Sequence, residues 1–320
     1  MKPSQLEILP NIEKRSNEKK SRWLTILFLG LTIVPSFIFW FFSGLREKKI
    51  NLTNPINSFN FSQIKLPEID SGDRSIKLSR WAATRLSQIS GKWAIKVEFL
   101  EEDFSWAVNK SDQFVAASLI KLPIIAAFYY QVEKGGLTLD EVYVLKDKDK
   151  ASGVGSLSSY QAGAEFTLGE LAALALSQSD NTAAAVLQKK VGEAEINRLI
   201  LDWGMTGTSL EENLTTAEEI TLFFKKLYQN QILSSESSRK MLDDLTDTVF
   251  EDWIPEGVPE GIRVAHKVGV EIRAISDAGI VFTPGEPFVL TILSQEVNTK
   301  TASEIFPGLV SDIYWILIGD

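Results

Sequence analysis

The chain is predicted to adopt an α+β fold within the broad α/β class. An antiparallel five-stranded sheet flanked by helices joins an all-helical lobe, and an N-terminal transmembrane helix precedes both. Three observations predict this. Alternating apolar residues mark two strands early in the chain and three late, and these can share one sheet. The stretch between them carries helical apolar spacing, enough for a lobe of its own. Ahead of both, residues 23–45 contain no charged side chain.

The first 22 residues form a polar tail bearing Lys2, Lys14, Arg15, Lys19, Lys20 and Arg22. The run that follows, WLTILFLGLTIVPSFIFWFFSGL, is long enough to cross a hydrocarbon core of about 30 Å as a helix. Pro35 within it is tolerated in a membrane span. A cleaved signal peptide is the rival reading. Its apolar core covers about 7–15 residues and ends in small side chains, whereas this run is longer and ends in Phe39, Trp40, Phe41 and Phe42. An uncleaved anchor is therefore expected. Basic residues favour the cytoplasmic side. More of them precede the span than follow it at Arg46, Lys48 and Lys49, so the tail is expected inside and the rest outside. Residues 46–74, with Pro55, Pro67 and no sustained period, read as a tether. The globular domain is expected over 75–320.

Within that domain, Ile76, Leu78, Trp81, Ala82, Leu86 and Ile89 predict a helix over 75–89. Trp93, Ile95, Val97 and Phe99 alternate, so 92–100 is a strand with a hairpin partner at 105–108. A helix runs to Tyr130 and stops at Gly135-Gly136. Further helices are expected at 168–177, 182–191, 193–203, 217–228 and 235–246. Strands at 263–270, 277–283 and 288–295 form a meander that turns at Thr283-Pro284-Gly285. A helix over 302–318 closes the chain.

Composition narrows the chemistry. The 320 residues are 44% hydrophobic and 23% charged, ordinary for a globular protein, and the net charge of −9 argues against nucleic-acid binding. The absence of cysteine excludes disulfides, thiolate metal sites and cysteine nucleophiles. The one histidine, His266, is expected to be a strand-surface residue rather than a catalyst.

Ser-x-x-Lys occurs four times, at Ser16/Lys19, Ser62/Lys65, Ser118/Lys121 and Ser237/Lys240, so the pattern alone is weak. Context selects Ser118. It opens an apolar helix, and Lys121 lies one turn on, on the same face. A serine there also suits a helix N-cap, but a lysine surrounded by Leu119, Ile120, Leu122, Pro123, Ile124 and Ile125 is expected to be buried or paired. Ser179-Asp180-Asn181 is a rarer triplet and can equally cap the helix that follows it. Lys267-Val268-Gly269 is the least specific piece and also reads as the exposed end of a strand.

Taken in order, the three pieces resemble the active site of class A β-lactamases and the related penicillin-binding DD-peptidases. The similarity extends over 75–320. FVAASLIKLP from Phe114 resembles the nucleophile helix, and FTLGEL from Phe166 leads to the second motif. NLTTAEE from Asn213 resembles the helix start after the Ω-loop, and Asp277-Ala-Gly-Ile-Val resembles the strand beside the Lys-x-Gly strand. The resemblance implies Ser118 as nucleophile, Lys121 as its base and Ser179 as proton carrier to the leaving nitrogen. Asn181 would hold the substrate's side-chain amide and Lys267 its carboxylate. Gly269 and Val270 would also bind substrate, the N–H groups of Ser118 and Val270 forming the oxyanion hole. The substrate would be a β-lactam or a D-Ala-D-Ala-type peptide, with no cofactor, metal or nucleic acid, at a bacterial cell membrane. Two departures stand out. Val268 replaces the usual Thr or Ser, with Arg273 or Ser276 as candidate compensators. The Glu-x-x-Leu-Asn Ω-loop is missing, leaving only Glu211 and Glu212 between Trp203 and Thr215. A slow-deacylating β-lactamase is therefore expected first, with a DD-peptidase or a non-catalytic sensor as alternatives.

Overall fold

The computed structural model describes residues 71–319. The expected tail, transmembrane helix and nearly all of the tether lie outside the described residues. Among those described, no helix is long and apolar enough to cross a membrane.

One five-stranded sheet organises the domain. Its strands are β1, Lys92–Phe99; β2, Ser105–Val108; β7, Arg263–Glu271; β8, Ala274–Phe282; and β9, Phe288–Gln295. They lie in the order β2-β1-β9-β8-β7, with every neighbouring pair antiparallel. Two early strands and three late ones thus share a sheet, as their alternation predicts. Trp93, Ile95, Val97 and Phe99 of β1 face a core shared with α1, Ser71–Arg85, and α9, Thr299–Ile318. The opposite face, represented by Ala94, Ala265, Ala278 and Leu293, packs on the helical lobe.

That lobe is built around α2, Lys121–Glu133. Its side chains are apolar on every side, so the helix is enclosed rather than laid on a surface. Around it lie α3, Leu168–Ser177; α4, Asn181–Val191; α5, Glu193–Asp202; α6, Ala217–Tyr228; and α7, Ser235–Asp244. Local chemistry sets their starts. Thr167 and Glu170 form a reciprocal capping box for α3. Asp180, Thr216 and Ser234 accept the orphan N–H groups of α4, α6 and α7.

Most boundaries fall within two residues of expectation, and three differ more. α1 begins at Ser71 and ends in a 3₁₀ turn at Leu86–Gln88, not as one helix over 75–89. β8 begins at Ala274, because the hairpin turns tightly at Ile272-Arg273, where Arg273 takes φ +60°. α9 begins at Thr299, capped by Asn298. Two short ladders lie outside the expected elements: β3, Phe114–Val115, pairs with β6, Leu214–Thr215, and β4, Val142–Val144, pairs with β5, Glu165–Thr167. A short helix α8, Ile254–Gly257, leads into β7.

Candidate active site

β7 is one edge of the sheet, with β2 the other, and the 3₁₀ turn Ala117–Ile120 packs against β7 ahead of α2. Ala117 takes φ +47°, a left-handed conformation uncommon for a residue with a Cβ. The strained turn presents Ser118, half-buried, beside the Gly269 end of β7. Gly269 is needed where it stands. A Cβ there would lie 2.9 Å from the carbonyl oxygen of Ala116 and 3.3 Å from the Cβ of Ala117.

Lys121 is the hub. Its ammonium lies 3.1 Å from Ser118 Oγ, 3.1 Å from Ser179 Oγ and 2.6 Å from Asn181 Oδ1, and it also donates to the Ser179 carbonyl. Four acceptors surround a group with three protons. Burial lowers its pKa to about 8, the charge of Asp180 opposing the shift. The amine therefore sheds its proton within reach of neutral pH and stands between two hydroxyls.

The second motif caps α4 and also lines the site. Asp180 Oδ1 accepts from Ala183 N at 2.9 Å and Oδ2 from Leu157 N at 2.8 Å. Holding the carboxylate in place this way leaves Ser179 at φ +56°, its hydroxyl turned to Lys121. Asn181 Nδ2 donates to the Ser152 carbonyl at 2.8 Å, joining the motif to the loop opposite.

The third motif departs most from its expected setting. Lys267 is 1% exposed, not a solvated strand end. It points to the lobe with Ala265 and Gly269, while Val264, His266 and Val268 point the other way. Burial first, and then the charge of Lys121, hold its pKa well below the ordinary lysine range, against the pull of Asp277. Among the described residues no carboxylate lies within ion-pair distance of it, and the Phe250 ring centroid is 5.8 Å from Nζ. Val268 is buried in the core on the far face. Ser276, opposite Gly269 in β8, is buried on the site face, whereas Arg273 lies in the hairpin turn and donates to the Glu296 carbonyl. His266 N donates outward to Leu245 O at 2.9 Å. By alternation the Val270 N–H also points off this edge of the sheet.

His266 is not a surface residue. It is 1% exposed, with Nδ1 2.8 Å from Asp277 Oδ1 and Nε2 3.2 Å from Thr248 Oγ1. The two residues of the pair are eleven apart in sequence and meet only through the strand register. Phe250, Asp277 as a partner of His266, and Asp180 as a charged neighbour of Lys121 were not legible as site residues.

The stretch expected to lack an Ω-loop is a tight turn. Ser209 N donates to Leu214 O at 2.9 Å and Leu214 N returns to Ser209 O at 3.2 Å, leaving Glu211 and Glu212 exposed at its tip. Asn213 O accepts from Ala116 N at 2.8 Å, so the turn lies beside the segment that leads into Ser118. Glu219, the buried carboxylate of α6, accepts from Gly207 N and Thr208 Oγ1 at 2.6 Å each. Both its oxygens hold the turn together.

These elements define a serine site of the penicillin-recognising class: a serine with an adjoining lysine, a second hydroxyl and a buried lysine on an edge strand. The chain belongs to the Beta-lactamase enzyme family, whose model matches residues 77–317. It is 26% identical over 234 residues to a beta-lactamase of Streptomyces albus G, covering 66% of this chain and 74% of that one. It is 26% identical over 230 residues to Beta-lactamase 3 of Bacillus cereus, covering 66% and 71%. Among solved structures, PBP-A superposes with a TM-score of 0.72 at 26% identity over 75% of this chain and 95% of that one. A mutant of PBP-A, solved as an acyl-enzyme complex with penicillin G, matches with a TM-score of 0.72 at 26% identity, covering 76% and 96%.

Proposed function

We propose that the chain is a serine acyl-transfer enzyme that opens β-lactam rings through an acyl-Ser118 intermediate and releases it slowly. The observation that carries this reading is Lys121 Nζ standing 3.1 Å from both Ser118 Oγ and Ser179 Oγ. Neutral Lys121 takes the Ser118 proton as Oγ attacks the lactam carbonyl carbon. The oxyanion is met by the N–H groups of Ser118 and Val270, each such donor contributing about 3 kcal/mol. The proton then passes through Ser179 Oγ to the ring nitrogen as the carbon–nitrogen bond breaks. Asn181 holds the acylamide, and Lys267, with Ser276 beside it, holds the carboxylate. The penicillin complex of the PBP-A mutant supports a β-lactam as substrate class.

Hydrolysis of the ester needs a base for water. Glu211 and Glu212 are exposed, and Glu219 is bound into the turn. This arrangement favours a long-lived adduct and supports a second reading, a DD-peptidase acting on cell-wall peptides. In either case the N-terminal apolar segment would anchor the chain in the bacterial membrane with the domain outside.

A labelling time course with fluorescent penicillin on the full chain tests the proposal. A covalent adduct absent from Ser118→Ala is expected, decaying slowly with stoichiometric product. An adduct that persists without product would favour the peptidase. No adduct in the wild type would refute acyl transfer and leave a non-catalytic sensor.

A further inference from the structure

The segment 245–254 between α7 and α8 is a strap across the open edge of β7, and one buried pair ties it down at three points. His266 N donates to Leu245 O at 2.9 Å. His266 Nε2 meets Thr248 Oγ1 at 3.2 Å. Asp277 Oδ2 accepts from Ile254 N at 3.0 Å. The pair itself is closed by the 2.8 Å contact of Nδ1 with Asp277 Oδ1. Thr248 Oγ1 then accepts from the Phe250 N–H at 3.2 Å, and its one proton is shared between the Phe250 carbonyl at 3.2 Å and Glu251 Oε1 at 3.0 Å. Phe250 is the residue whose ring faces Lys267 Nζ. On its other side the strap reaches the lobe, Val249 N donating to Ser177 O at 3.1 Å, two residues before Ser179.

We infer that His266 and Asp277 are positioning residues for the carboxylate anchor: through Thr248 they set the Phe250 ring against Lys267, and so fix where the ammonium meets an anionic acyl donor. This rests on the acyl-transfer reading for its substrate but not for its geometry. The Lys267 side chain lies on the opposite face of β7 from that of His266, so the strap, passing round the strand edge, is the route by which one side chain bears on the other. A lysine without a carboxylate partner in a buried site has few groups to orient it. An aromatic face within about 6 Å supplies a preferred direction and favours the charged form. Glu251 Oε1, 3.9 Å from His266 Nε2, and Lys267 itself are the other charged groups facing this clasp.

The test uses Thr248→Val, which keeps shape and leaves the buried ion pair intact, together with Thr248→Ser, Phe250→Leu and the double variant Thr248→Val/Phe250→Leu. Acylation of the full chain in detergent is measured with benzylpenicillin and with its uncharged methyl ester. Thr248→Val and Phe250→Leu should each slow acylation by the free acid about thirtyfold, the scale of a desolvated cation–π contact, and leave the ester unchanged. The double variant should be no worse than either single one, and Thr248→Ser should restore the rate. Equal losses with both donors, or additive losses in the double variant, would overturn the inference. The ε-methylene resonance of Lys267 gives a readout independent of acylation, because the Phe250 ring shifts it. Thr248→Val should move that resonance toward its unshielded position. If it does not, the clasp does not place the ring, even in a protein that is acylated at Ser118. If it does while the wild type resists both donors, the positioning stands and the acyl-transfer reading falls.

Discussion

At the scale of single residues, burial changes the acid–base character of ordinary side chains. Lys121 is surrounded by apolar neighbours and four oxygen acceptors, and its pKa falls to about 8. The acylation rate should therefore rise with pH and level off above about 8, as the neutral amine becomes the majority form. Stopped-flow acylation between pH 6 and 10 checks this; a flat profile would exclude Lys121 as the base. Lys121→Ala should slow acylation about 10²–10⁴-fold, the usual contribution of a general base, while the fold persists. Much of this residue chemistry was legible: the apolar run around Lys121 predicts a buried lysine, and it is one. The burial of His266 was not legible, because a lone histidine in a strand carries no sign of its partner. Asp277 becomes its neighbour only once β7 and β8 are paired in register.

At the scale of elements, the site depends on how closely the nucleophile turn approaches the edge strand. Gly269 permits that approach, so Gly269→Ala should push the Ala117–Ile120 turn from β7. Acylation should fall at least tenfold, and stability should drop by about 1–3 kcal/mol, as overpacking commonly costs. Urea denaturation and penicillin labelling of the same variant read the two effects. If both stay at wild-type values, the tight contact is not a constraint. The long elements could be read from sequence because each carries several periods of apolar spacing. The β3–β6 and β4–β5 ladders could not, since two or three residues hold no period. The β7–β8 turn at Ile272-Arg273 escapes a sequence reading for a related reason. It has none of the Gly, Pro, Asn or Asp residues that usually mark turns, and Arg273 itself adopts the left-handed conformation.

At the scale of the whole molecule, Lys121, Lys267, His266 and Asp277 are all buried, so stability and site chemistry titrate together. Burial opposes a charge on His266, but the Asp277 carboxylate beside it and the hydrogen bonds to it prevail, raising its pKa to about 9. A raised pKa means the folded state holds the proton more tightly than the unfolded chain. The stabilisation is complete below the unfolded value of about 6.5 and is lost as pH climbs through about 9. Lys121 works in the opposite sense, its depressed pKa relieving a penalty as pH rises from about 8 toward the ordinary lysine value. Net stability therefore conceals both effects. The neutral paired replacement His266→Gln/Asp277→Asn separates them by removing one titration and keeping a hydrogen-bonded couple of similar shape. The stability of wild type relative to this variant should decline between pH 6 and 9 by about 1.4 kcal/mol per pH unit at its steepest. Urea unfolding midpoints at closely spaced pH values measure it. Because the chain has one histidine, its imidazole resonance reports the same transition directly. A difference that does not change with pH, or an imidazole that titrates near 6.5, would show that the pair carries no net charge coupling, and the strap would then be held by hydrogen bonds alone.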